Sequence, residues 1–160
     1  MPTLPQLIEQ DTQVLDAALY DLLARSEATL ALLIDKAGFL ISRRGEAEHI
    51  DATTLAALAA GSYAATETIA SLMGETNFSS IYQQGEKFSL LVQNVDEYSL
   101  LSVVFKASIS VGVVKYYAAD TTRQIAGQLK LAQERDPDAG LDLSELDVAD
   151  TSLVFRKKTA

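Results

Sequence analysis

Side chains suited to chemistry are sparse in this sequence. His49 is the only histidine and there is no cysteine, so a metal site would have to be built from carboxylates alone. In its polar surroundings His49 reads as a surface loop residue. The lack of cysteine also excludes thiolate catalysis, disulfides and iron–sulfur ligation. The stretch from Gly38 to Gly45 lacks the lysine and hydroxyl with which a Gly-rich loop holds phosphate and magnesium. No Gly-x-Ser-x-Gly elbow presents a nucleophilic serine. The close carboxylates Glu46/Glu48 and Asp96/Glu97 sit in polar turns, without the apolar setting that raises a pKa for general-acid work. No catalytic residue, cofactor site or metal site is expected, and the chain reads as a binding protein.

The 160 residues suit one domain with its own core, and 48% hydrophobic residues mark it as globular. Twenty-two acids against 13 bases give a net charge of −9, a field that repels phosphate backbones and anionic lipid. Nucleic acid and membrane surfaces are therefore poor partners. The only adjacent bases, Arg43-Arg44 and Arg156-Lys157-Lys158, read as a solvated turn and a solvated tail. The apolar runs Leu30–Ile34 and Val111–Val114 are too short to cross a bilayer, and Met1 to Gln10 shows no signal-peptide pattern. A cytoplasmic protein is the expectation.

Hydrophobic spacing supplies the elements. From Thr3 to Arg25, Leu4, Leu7, Ile8, Val14, Leu15, Ala18, Leu19 and Leu22 form one helical stripe. Asp11 falls inside that stripe, as either a late helix start or a hydrogen-bonded exception. Ala28–Ile34 and Phe39–Ser42 around a turn ending in Gly38 read as a β-hairpin. Asp51 or Thr53 can cap a second helix that Gly74 ends near Met73. Three strands follow, Phe78–Gln83, Lys87–Asn94 and Tyr98–Phe105. Ser108 or Ser110 then caps a third helix reaching about Glu134, stopped by Asp136-Pro137. The expectation is an α+β domain over residues 1–135, with a five-stranded, mainly antiparallel sheet and helices on its faces. Residues 136–160 form a tail that mixes acids with Leu141, Leu143, Leu146, Val148, Leu153, Val154 and Phe155.

The second helix is the informative element. Leu55, Leu58, Ser62, Ala65, Ile69, Leu72 and Met73 gather on one side, expected to lie on the sheet. Ala56, Ala57, Ala60, Gly61, Ala64, Glu67, Thr68 and Ser71 occupy the other, expected to face outward. Glu67 is the only charge between Thr53 and Met73, whereas an outward face in water normally carries several. Gly61 costs about 1 kcal/mol relative to alanine inside a helix, which suggests a packing reason. Either the chain's own first helix or tail covers this face, or a second protein does; the other helices' own amphipathic stripes favour the second protein.

The sequence resembles the Roadblock family, named for a dynein light chain, and within it the bacterial MglB-type proteins. The resemblance is carried by Leu32-Leu33-Ile34-Asp35-Lys36-Ala37-Gly38, by Ile50-Asp51 and by Leu55-Ala56-Ala57-Leu58-Ala59-Ala60-Gly61. It continues through Ala64-Ala65-Thr66, Gly74-Glu75, Phe78, Gln84-Gly85-Glu86, Leu100–Phe105, Gly112 and Val114-Lys115. The resemblance implies an α-β-β-α-β-β-β-α, profilin-like sandwich and a homodimer whose second helices pair and whose sheets join edge to edge. It also implies a Ras-like, MglA-like small GTPase as partner, whose GTP hydrolysis the dimer stimulates in cell polarity or motility by reordering the GTPase's own switch elements. On this reading Ala57, Ala60, Gly61, Ala64 and Thr68 form the dimer interface, and Ala56, Tyr63, Glu67 and Ser71 face the GTPase. Arg43 or Arg44 could serve as an arginine finger in trans, or simply end a hairpin in solvent. Two other readings stand beside this one. A PAS- or GAF-type ligand sensor would need a pocket with convergent polar groups; a structural adaptor would bind without stimulating hydrolysis.

Overall fold

The computed structural model of the chain describes residues 4–135. In chain order it contains α1 (Glu9–Ser26), β1 (Leu30–Asp35), β2 (Leu40–Gly45), α2 (Ala52–Leu72), β3 (Ser80–Gln83), β4 (Phe88–Asn94), β5 (Ser99–Lys106) and α3 (Val111–Glu134). The strands form one sheet in the order β2-β1-β5-β4-β3, and every neighbouring pair is antiparallel. The expected element order and sheet are both present. The tail from residue 136 onward lies outside the described residues.

Strand alternation splits the core in two. Ala31, Leu33, Leu91, Leu101, Val103 and Phe105 point to one face, where Leu15, Leu19 and Leu22 of α1 and Val114, Ala118, Ile125 and Leu129 of α3 cover them. Leu30, Leu32, Ile34, Val92, Leu100 and Val104 point to the other face, which α2 covers. Local chemistry sets the boundaries. Asp35 accepts a hydrogen bond from the Phe39 N–H in the β1–β2 turn, and Gly38 has φ +102°. A Cβ on Gly38 would also come within 3.2 Å of the Ala57 Cα, so glycine there serves both the turn and the close approach of α2.

Helix α1 starts at Glu9, later than the stripe from Thr3 suggests. Asp11 accounts for the difference. Its carboxylate accepts the Ile8 N–H at 2.9 Å and so caps the first turn. It is also fully buried, where Arg135 donates to both its oxygens at 2.8 and 2.9 Å and Gln128 donates at 2.7 Å. Both readings of Asp11 hold together: it marks the late start and it is the hydrogen-bonded exception. Leu4 and Leu7 still pack against the core, although they precede the helix.

The Arg135 hydrogen bonds, helped by Ile8 and Gln128, hold the Asp11 carboxyl well below the usual carboxylate range against the opposing effect of burial. A carboxyl whose pKa is lower in the folded state stabilises the fold above its unfolded value of about 3.9 and loses that contribution as pH falls further. Asp11→Ala is therefore expected to lower stability at neutral pH by about 3 kcal/mol, since it removes a cap and breaks a buried pair. Asp11→Asn is expected to flatten the loss of stability below about pH 4. Denaturant melts at a series of pH values read both effects; an unchanged acid limb in Asp11→Asn would contradict the assignment.

Candidate functional site

Helix α2 begins where the Asp51 carboxylate accepts hydrogen bonds from the Thr53 N–H at 3.0 Å and the Thr54 hydroxyl at 2.8 Å. Those bonds, the Thr54 hydroxyl first, keep the Asp51 pKa below its ordinary value. The helix ends at Met73, and Gly74 turns the chain away with φ +77°. Tyr63 anchors the middle. It is buried, and its hydroxyl reaches the Asn77 Oδ1 at 3.1 Å and the Phe78 carbonyl at 3.2 Å, so α2 is tied to the segment leading into β3. Burial pushes the Tyr63 pKa up, and the Lys36 ammonium sits 5.5 Å from the ring centroid.

The orientation of α2 corrects the expectation drawn from its sequence. The side on the sheet consists of Ala52, Ala56, Ala59, Ala60, Tyr63 and Ala70. Small residues there let the helix approach the strands closely. Of the side expected to lie on the sheet, Leu55 packs half-buried against the core and Ser62 is half-buried, whereas Leu58 is 67% exposed, Ile69 50%, Leu72 84% and Met73 67%. Of the residues expected on the outer face, Ala57, Gly61, Ala64, Thr68 and Ser71 are exposed, Glu67 is half-buried, and Ala56, Ala60 and Tyr63 are buried. Among the described residues, nothing beyond its own helix backbone and chain neighbours lies within 4 Å of a Cβ built on Gly61. Helix α1 packs on the opposite face of the sheet and does not cover α2.

The exposed surface of α2 has two flanks. Leu55 borders a notch shared with Gln83, Leu90 and Val104, so its flank, which continues through Leu58, Ser62, Ala65, Ile69 and Leu72, leans toward β3. Ala57 meets Gly38 of the β1–β2 turn, so the flank of Ala57, Gly61, Ala64, Thr68 and Ser71 leans toward the opposite edge. The first flank repeats at alternating three- and four-residue steps, the seam spacing of paired helices. That spacing is the sequence signal for Leu58, Ile69 and Leu72 as an outward face.

The two sheet edges differ as well. Strand β3, Ser-Ile-Tyr-Gln, carries no charge. Strand β2 carries Arg43 and Arg44, and Arg44 is tied to Asp16 of α1 at 2.6 Å. Charged side chains blunt an edge against further pairing, whereas an uncharged edge presents free backbone groups. Arg43 and His49 are exposed at the surface. Among the described residues no three His, Cys, Asp or Glu side chains gather as a metal would require, and no helix is long and apolar enough to cross a membrane.

The Roadblock/LC7 domain family model matches residues 15–105, from α1 through β5. MglB of Myxococcus xanthus is similar in structure, with a TM-score of 0.75, 29% identity, and coverage of 81% of this chain and 98% of its own. A structure described as MglB with a tetrameric arrangement gives a TM-score of 0.76 at 30% identity, covering 82% and 99%. The gliding protein MglB of Thermus thermophilus gives 0.73 at 29%, covering 82% and 99%. No curated protein matches the sequence. The matched span, the fold and these neighbours agree: the chain belongs to the Roadblock/LC7 domain family and is MglB-like within it.

Proposed function

We propose that the chain is a homodimeric regulator that binds a Ras-like, MglA-like small GTPase in the cytoplasm and stimulates its GTP hydrolysis, in bacterial cell polarity or motility. The observation that carries this reading is the outer face of α2, where Leu58, Ile69 and Leu72 stand in water with no charged neighbour on the face. Fully burying a leucine or isoleucine side chain contributes about 1.5–3 kcal/mol, so such a row is a strong incentive to association. An uncharged edge strand, β3, adjoins the same flank and offers backbone pairing beside the side-chain contact.

In the proposed dimer the β3 edges pair antiparallel about a two-fold axis, and the bulky flanks of the two α2 helices meet. The small-residue flank, Ala57, Gly61, Ala64, Thr68 and Ser71, then remains for the GTPase. Ala56, Ala60 and Tyr63 act from beneath, by holding α2 on the sheet. The regulator supplies a rigid surface against which the GTPase's own switch elements take their catalytic arrangement, so it needs neither a nucleotide site nor a catalytic side chain of its own.

Calorimetry tests this division of labour. The isolated chain is expected to take up no GTP at micromolar concentration and to bind the GTP-loaded GTPase. Saturable uptake of GTP by the chain alone would overturn the reading.

A further inference from the structure

Phe39 stands in water at the tip of the β1–β2 turn, 72% exposed, and Leu40 and Ile41 after it are only half-buried. These residues open β2, which pairs with β1 alone and has no partner on its outer side among the described residues. Further along the strand Arg43 and Arg44 are exposed. Asp16 holds Arg44, whereas Arg43 forms no ion pair among the described residues. Glu46 and Glu48, in the loop beyond Gly45, border the same hollow as Arg43 without pairing to it. Helix α3 ends beside this turn. Gln133 donates to the Tyr98 hydroxyl at 3.1 Å, and the Tyr98 carbonyl accepts the Lys36 N–H of the turn at 2.8 Å. Arg135 is fixed to Asp11, and five residues further along α1 Asp16 accepts from the Ser42 hydroxyl and pairs with Arg44. Five helical residues advance about 8 Å, so the chain leaves α3 close to both the turn and the β2 edge.

We propose that residues 141–150 of the same chain, which lie outside the described residues, dock along this edge. Their leucines cover Phe39, Leu40 and Ile41, and their acids lie beside Arg43. Three observations select this occupant. The first is reach. Six residues separate Arg135 from Leu141 and span at most about 20 Å. So short a tether raises the local concentration of the segment at the edge to the order of millimolar. The second is composition. Leu141, Leu143, Leu146 and Val148 are interspersed with Asp142, Glu145, Asp147 and Asp150, and the segment contains no base. The third is charge. A second copy's β2 would set Arg43 and Arg44 against like charges, which is unfavourable across paired strands, and β3 carries no acid to offer them. An acidic segment meets them with the opposite sign. A strand added to a sheet edge takes its affinity from main-chain hydrogen bonds and its specificity from side chains of this kind. Docked there, the segment covers the exposed phenylalanine and closes the β2 edge to other chains. The homodimer reading above uses the β3 edge and is independent of this contact.

The chain has no tryptophan, so Phe39→Trp places a single reporter on the turn, at an exposed position where the change leaves the core untouched. Emission and acrylamide quenching are measured on this full chain. The same is done with Asp142→Lys, Glu145→Lys and Asp147→Lys added together, and separately with Leu141→Ser and Leu143→Ser added. The expected result is a blue-shifted, slowly quenched tryptophan in the first protein, and a red-shifted, readily quenched one in both others. In the chain that keeps Phe39, amide exchange along β2 should quicken when the three lysines are introduced. A tryptophan fully in solvent in the first protein, with β2 exchange unaltered by the lysines, would overturn the proposal. Shielding that survives both sets of tail changes would assign the cover to another segment and overturn it too. Shielding lost on dilution would mean the tail of another copy, and shielding gained only on adding the GTPase would make the GTPase the occupant; either result contradicts docking within one chain.

Discussion

An arginine at Ile69 is expected to convert the proposed dimer into monomers without unfolding the chain. Ile69 is half exposed in the single chain, so the guanidinium of Ile69→Arg stays in water there. In a paired α2 seam the same charge would be enclosed among Leu58, Ala65 and Leu72 with no acid to meet it. An unpaired charge buried in a contact costs about 3 kcal/mol or more, and every 1.4 kcal/mol is tenfold in affinity. Dimer affinity should therefore fall by at least about 100-fold. Leu58→Arg should act in the same way. An arginine at Ala24, exposed on α1 across the sheet, should leave the assembly unchanged. Light scattering and circular dichroism together decide the matter. A native spectrum with the mass of a dimer in Ile69→Arg would contradict the proposed seam.

Truncating Tyr63 is expected to have the largest effect on stability. The side chain is buried in the cluster that joins the α2 alanines to Leu30, Leu32, Ile34 and Leu100 of the sheet, so Tyr63→Ala would leave a cavity in that core. Removing a buried aromatic costs about 4 kcal/mol, which corresponds to a fall in Tm on the order of 10 °C or more. Tyr63→Phe keeps the ring and loses only the hydroxyl's bonds to Asn77 and the Phe78 carbonyl, about 1 kcal/mol. A small effect of Tyr63→Ala would mean that α2 is held elsewhere. Because Tyr63 orients the helix, Tyr63→Ala should also weaken association, whereas Tyr63→Phe should largely preserve it.

Much of this architecture is legible in the residues because it is written in local chemistry. Gly38 marks the first hairpin, Asp51 and Ser110 cap their helices, and Gly74 ends α2. Strand alternation separates the two core faces. The start of α1 is less legible, since Leu4 and Leu7 extend the hydrophobic spacing beyond the helix while packing on the core as a lead-in. The orientation of α2 is rotated from the expectation, with Leu58, Ile69 and Leu72 outward and Ala56, Ala60 and Tyr63 inward, for a deeper reason. Hydrophobic spacing records that a face leaves water; it does not record whether the covering surface is the chain's own sheet or another molecule. In α2 the alanines of the inner face permit close approach to the strands, and the larger Leu58, Ile69 and Leu72 point outward. The heptad-like step from Leu55 to Leu72 is the available clue, because sheet packing does not demand that strict alternation.

The most direct test of the functional reading is single-turnover hydrolysis of GTP by the MglA-type GTPase of the same organism, with and without this chain. The expected result is acceleration on the order of 100-fold, the scale that correct placement of one stabilising group reaches, and its loss with Ile69→Arg. A rate unchanged by saturating amounts of the intact protein would contradict stimulation; if the two proteins nevertheless bind, the chain would be an adaptor for the GTPase.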